Sequence, residues 1–162
     1  MIRRIERGDR ESVLDVLRAA DSFSAAELTV AQELIDTVLF QPIQKDYFAF
    51  VEVLEPHGEQ PVRGMLVVGP TPATEGTWHL YWIAVHPVYH GTGVAQALGN
   101  YAEVFVRDRG GYWLLAETSN QVSCQRARGY YCKQGYVQLA QIPDYYKLSD
   151  DLVIYGKRLD CC

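Results

Sequence analysis

The stretch "VHPVYHGTGVAQALGNY", residues 85–101, constrains the fold more than any other. It follows the long apolar run "GTWHLYWIAVHP", which reads as a strand, and it opens the amphipathic segment "GVAQALGNYAEVFVRDRG". In that segment Ala95, Leu98, Ala102, Phe105 and Val106 fall on one helical face, and Gly110–Gly111 ends it. Strand, glycine turn and helix in that order make a ready site for an anionic ligand, because the opening turn of a helix presents N–H groups and partial positive charge.

Around this unit the chain reads as β-α-α-β-β-β-α-β-α-β-β. "IRRIE" forms a first strand, and Asp9 caps the helix "DRESVLDVLRAAD", with Val13, Leu14, Val16 and Leu17 on one face. "SAAELTVAQELIDTVL" is a second helix. "YFAFVEVLE" and "VRGMLVVGP" are strands joined by the turn-rich "PHGEQP". After the central unit come the strand "YWLLAETS", apolar at its centre and expected to be buried on both faces, and the helix "CQRARGYYCKQ", stopped by Gly135. "YVQLAQI" and "DLVIYGKRL" form a closing hairpin around the loop "PDYYKLSD". The class is mixed α/β (α+β), with antiparallel strands first and βα crossovers later.

At 162 residues the chain is read as one domain, residues 1–159, with a short tail at 160–162. Apolar residues make up 48% and charged residues 22%, as expected of a globular protein in water. The net charge, 15 − 20 = −5, argues against a large phosphate-binding surface, so no nucleic acid partner is expected. The N-terminal "MIRRIERGDRESV" lacks the apolar core of a signal peptide, and no run is long enough to span a membrane. The four cysteines, Cys124, Cys132, Cys161 and Cys162, form no CxxC pair, which argues against a zinc site or a disulfide framework. A cytoplasmic protein with free thiols and no metal is expected.

Three readings of Gly91 and Gly93 compete. A P-loop needs a Gly-Lys-Ser/Thr ending, which "HGTGVA" lacks. A dinucleotide fingerprint needs a third glycine where this chain has Gln96, although Glu117 lies near the distance of a ribose-binding acid. A plain tight turn satisfies the pattern as well.

The wider context resembles the GNAT superfamily of N-acetyltransferases. "IAVHPVYHGTGVAQAL" is similar to its acetyl-CoA signature, Q/R-x-x-G-x-G/A, which maps onto His90, Gly91, Thr92, Gly93, Val94 and Ala95, with His90 in place of Gln or Arg. "RARGYYCKQGYVQ" resembles a later segment ending Y-x-x-x-G-F/Y, matched by Tyr131, Gly135 and Tyr136. That segment usually begins with an asparagine; here the position holds Cys124, with Asn120 just upstream. "IPDYYKLSDDLVIYGKRL" is similar to the tail of a bacterial subgroup. The resemblance runs from about residue 78 to 159.

It implies a GNAT fold, with a central mixed, mostly antiparallel sheet of about seven strands flanked by about four helices. It also implies direct transfer of the acetyl group of acetyl-CoA, a co-substrate, to a primary amine within a ternary complex. The turn would cradle the pyrophosphate, with glycine allowing close backbone approach. Backbone at Ile83, Ala84 and Val85 would line the pantetheine arm, where an N–H can face the developing oxyanion. The family position makes Tyr131 the acid for the leaving thiolate, a phenol being protonated at neutral pH. The place where many members carry a basic carboxylate holds His79, on one strand face with Tyr81, Ile83 and Val85 by alternation. Glu117, at the end of the next strand, is the rival base. His57 and His86 read as loop residues, and Arg126 and Arg128 either meet CoA phosphates or are solvated helix residues, solvation being the commoner state of helix arginines.

The acceptor groove is expected from "DSFSAAELTVAQELIDTV" and "IPDYYKLSDD", whose acids and tyrosines suit a small cationic amine or a lysine side chain. A non-catalytic acyl-CoA-binding sensor module is the alternative, and a homodimer is left open.

Overall fold

The computed structural model of the protein describes residues 1–55 and 61–159. Most of the expected turn "PHGEQP", with His57, and the tail carrying Cys161 and Cys162 fall outside the described residues.

The elements follow the expected order: β1 (Ile2–Arg4), α1 (Arg10–Ala19), α2 (Ala25–Phe40), β2 (Phe48–Glu52), β3 (Gly64–Pro70), β4 (Thr77–Val85), α3 (Val94–Arg107), β5 (Trp113–Ser119), α4 (Gln125–Lys133), β6 (Val137–Lys147) and β7 (Asp150–Arg158). The strands form one seven-stranded sheet in the order β1-β2-β3-β4-β5-β7-β6. β4 and β5 run parallel, and the pairs β1–β2, β2–β3, β5–β7 and β6–β7 are antiparallel. None of the described helices is long and apolar enough to cross a membrane.

The chain divides into two compact units. The first comprises Met1–Gly69 and Trp82–Ala102. There the apolar face of α1 (Val13, Leu14, Val16, Leu17) and the Ala31–Ile35–Leu39 stripe of α2 pack on Ala49, Val51, Met65, Val67 and Ala84. Each large apolar side chain so buried contributes about 1.5–3 kcal/mol relative to exposure. The opposite face takes α3, where Phe50 meets Tyr101 edge-on at 4.9 Å. Gly64 permits the close approach of α3. A Cβ there would lie 2.8 Å from Val94 Cγ1 and 3.0 Å from Leu98 Cδ1.

Asp9 does not cap α1 as expected. Its buried carboxylate accepts from both terminal guanidinium nitrogens of Arg3, Nη1 and Nη2, at 2.7 and 2.9 Å, and from the Glu6 N–H at 2.8 Å. A bidentate guanidinium is the stronger partner, and it draws the side chain away from the helix end. α2 has a side-chain-capped start. The Ser24 side chain accepts from the Glu27 N–H, and Glu27 returns the bond to the Ser24 N–H at 2.7 Å.

The second unit comprises Pro70–Tyr81 and Glu103–Cys162. β4 pairs with β5 from Thr77↔Trp113 to Leu80↔Ala116, and β5 pairs with β7 along its whole length. One face is buried: Leu114, Ala116 and Thr118 of β5, Trp78 against Phe105 of α3, and Tyr155 of β7 against Tyr131 of α4. On β5 the other face, with Trp113, Leu115, Glu117 and Ser119, is half-buried or exposed. This corrects the expectation that β5 is buried on both faces. Its apolar centre is fully buried on one side only.

The expected loop "PDYYKLSD" is also shorter than read. β6 continues to Lys147, and only Leu148–Ser149 turns. A register shift between Ile142 and Lys147, with Asp144 at φ +53°, absorbs the irregular residues inside the strand.

Candidate active site

In the first unit, β4 ends at Val85, and a short 3-10 turn, Pro87–Tyr89, leads to the glycines. The turn is tied back on itself. The His90 Nε2–H donates to the Val85 carbonyl at 3.0 Å, and the Thr92 hydroxyl donates to the Tyr89 carbonyl at 2.6 Å. His90, the residue that departs from the family's Gln or Arg, thus bonds the end of the strand. His86 also serves the turn, accepting from the Val88 N–H at 3.4 Å.

Gly91 and Gly93 have φ of +78° and +87°, and a Cβ on either would meet nothing within 4 Å. Glycine is therefore required here by backbone conformation, and the space beside it is open. α3 starts at Val94, and its first hydrogen bond runs from the Ala97 N–H to the Gly93 carbonyl at 2.9 Å. The opening turn of α3 thus leads directly from the glycines. His90 through Gly93 are exposed, Ala95 and Ile83 half-buried, and Ala84, Val85 and Val94 buried.

In the second unit His79 and Glu117 come together across the parallel β4–β5 pair. His79 Nε2 lies 3.5 Å from Glu117 Oε1. The other ring nitrogen, Nδ1, is 2.8 Å from the Thr71 hydroxyl, and the ring stacks on Tyr81 at 5.6 Å. The bond from His79 holds the Glu117 carboxyl below the usual glutamate range, against the opposing effect of burial. The two residues read as rival bases are therefore one linked pair.

Tyr131 lies elsewhere in this unit. It is buried, with ring neighbours Tyr130 at 5.5 Å, Tyr136 at 5.4 Å and Tyr155 at 5.5 Å. Burial pushes its phenol well above the ordinary tyrosine value, with a smaller contribution from Cys124, so the hydroxyl keeps its proton.

Asn120 spends its side-chain carbonyl on the Asp151 N–H at 3.0 Å, while its own N–H donates to the Asp151 carbonyl at 3.1 Å. It thereby clamps the ends of β5 and β7. Ser119 and Asp150 are hydrogen-bonded beside it.

Two residues were missed or misread from sequence. Arg128 is not merely solvated, since one of its nitrogens donates to the carbonyls of Ser119 and Gln121 at 2.6 and 2.7 Å. Thr71, in the β3–β4 turn, drew no attention because its bond to His79 depends on how that hairpin closes. The closure is marked by the Thr71 N–H donating to the Thr77 carbonyl at 2.8 Å.

The sequence and the fold are matched among known proteins. A sequence profile of the acetyltransferase (GNAT) domain matches residues 44–138. A crystal structure of a Desulfovibrio desulfuricans protein, assigned to the GNAT acetyltransferases, is 33% identical, with a TM-score of 0.91 over 99% of both chains. The chain belongs to the GNAT family of acetyltransferases, and acyl transfer is its class of chemistry. An aminoglycoside 6'-N-acetyltransferase, solved in complex with coenzyme A, shares the fold at 15% identity and a TM-score of 0.77, over 100% of this chain and 98% of that one. The ribosomal-protein-S18-alanine N-acetyltransferase of Escherichia coli shares it at 18% identity and a TM-score of 0.75, over 100% and 95%. No curated protein matches the sequence.

Proposed function

We propose that the protein transfers the acetyl group of acetyl-CoA directly to a primary amine, of a small molecule or a protein, in a ternary complex. The observation that carries this reading is the glycine turn ahead of α3, with two positive-φ glycines and open space beside both. Backbone N–H groups there suit the pyrophosphate of CoA, which the aminoglycoside enzyme also binds as part of coenzyme A. On this reading residues 1–159 act as one GNAT domain.

In the proposed reaction the amine loses a proton at the His79–Glu117 pair. Its nitrogen attacks the thioester carbonyl carbon, and the developing oxyanion is met by a backbone N–H near Ile83–Val85. The C–S bond then breaks, and the CoA thiolate takes a proton from the Tyr131 phenol, which solvent replaces. Alignment of amine and thioester in one complex supplies much of the acceleration.

Titration calorimetry with acetyl-CoA, followed by thiol release in the presence of a primary-amine panel, tests the reading. Binding together with amine-dependent thiol release is expected. Binding without release to any amine leaves the sensor reading in its place, and no binding at millimolar ligand removes both.

A further inference from the structure

We propose that Thr71 is a positioning residue that fixes the tautomer of His79 and so presents Glu117, rather than the imidazole, to the acceptor's ammonium group. The proposal rests on the amine-acetylation reading and deepens it to a cationic acceptor.

The geometry leaves little choice of proton positions. An ionised carboxylate only accepts hydrogen bonds, so the contact between Glu117 Oε1 and His79 Nε2 requires the hydrogen on Nε2. In a neutral ring Nδ1 is then a bare lone pair. The hydroxyl 2.8 Å away, that of Thr71, is the donor for it. Thr71 O–H to Nδ1, and Nε2–H to Glu117, form one consistent chain. Reversing either bond breaks the other while the ring stays neutral.

Both ring nitrogens are therefore occupied, and an incoming amine reaches neither without displacing a partner. Glu117 differs. It spends Oε1 on His79, and its side chain is 44% exposed against 20% for His79. The carboxylate is the member of the pair that solvent, and hence an acceptor, meets first. Thr71 and Glu117 meet the two ring nitrogens and Tyr81 stacks on the ring.

An ionised carboxylate attracts an ammonium group far more strongly than a neutral hydroxyl. The ammonium N–H bond gives its proton to Glu117 and thence to water. The freed lone pair forms the new N–C bond as the thioester C–S bond breaks, and nitrogen sheds its second proton to solvent as the neutral amide forms, matching the proton that the thiolate takes up.

The test reads the tautomer directly and does not depend on activity. In the full-length 15N-labelled protein near neutral pH, long-range 1H–15N correlation separates protonated from bare imidazole nitrogens, and His79→Gln assigns the signal. The expected ring has Nδ1 bare and Nε2 protonated. Thr71→Val should mix the tautomers, and Thr71→Ser should restore the single one.

With an accepted amine, Thr71→Val should lower kcat/KM for that amine by about tenfold, the scale of one lost hydrogen bond. It should leave the KM for acetyl-CoA unchanged and shift the acidic limb of the pH profile, and Thr71→Ser should recover both. A wild-type ring protonated at Nδ1, or a Thr71→Val protein with an unmoved tautomer, overturns the proposal. Loss of folding in Thr71→Val, seen by circular dichroism, leaves the decision to the wild-type and Thr71→Ser spectra. Absence of transfer to any amine overturns the function and the acceptor role of Glu117, while the spectrum still decides the role of Thr71.

Discussion

At Gly93, φ is +87° and no atom stands within 4 Å of the place a Cβ would take, so a side chain there projects into the space assigned to the pyrophosphate. Gly93→Val should abolish acetyl-CoA binding by calorimetry while circular dichroism stays native. The forced left-handed backbone should cost about 1–2 kcal/mol of stability. Normal binding by this variant reduces the glycine to a turn residue.

Tyr131 permits a sharper test, because Phe keeps the ring packed among Tyr130, Tyr136 and Tyr155 and removes only the hydroxyl. Tyr131→Phe should slow turnover by about 100-fold with little change in CoA affinity, the scale of one acid–base group. Equal turnover in the two proteins assigns Tyr131 to packing alone. The glycine turn was legible in the sequence because backbone demands leave glycine in place. The Thr71–His79–Glu117 chain was not, because it depends on strand register and hairpin closure, which residue types do not encode locally.

Elements with a clear apolar period are the ones best read from the sequence, whereas the reciprocal cap of α2 emerges from the structure. Ser24 with Glu27 ahead of an apolar stripe marks the start of α2, and the structure shows both reciprocal bonds. Ser24→Ala should lower stability by about 1 kcal/mol, read as a shift of the urea midpoint. Asp9 carries a similar local signal yet turns to Arg3, since a charge-assisted pair outcompetes a cap. β6 was cut short for a related reason. Pro143 and Asp144 are poor strand residues, but β7 supplies a template strong enough to carry the ladder past them to Lys147.

Among the described residues, four carboxyls lie below their ordinary values. Burial pulls Asp9 upward, but bonds from Arg3 and the Glu6 N–H outweigh it, and the net direction is down. Asp36 is lowered by Arg10, Glu117 by His79, and Asp151 by Gln141 and the Asp144 N–H. A carboxyl depressed in the folded state adds stability above its unfolded pKa and loses it as pH falls through the folded one. Urea midpoints should therefore be nearly level from about pH 7 to 5 and fall steeply below about pH 4, near the reference carboxylate values. Asp9→Asn should flatten part of that fall, and a level profile down to pH 2 contradicts the assignment.

The order of elements was legible because each strand and helix declares its own period. The order within the sheet was not, since β7, which follows β6 in the chain, lies inside it between β5 and β6. That placement has a consequence for biosynthesis. While the ribosome is still making β7, β5 and β6 have no ladder between them, and the facing edge of each stays open. Chaperone dependence and premature association should therefore concentrate in the interval before Arg158 leaves the exit tunnel, and the second unit matures only after its last strand slots in.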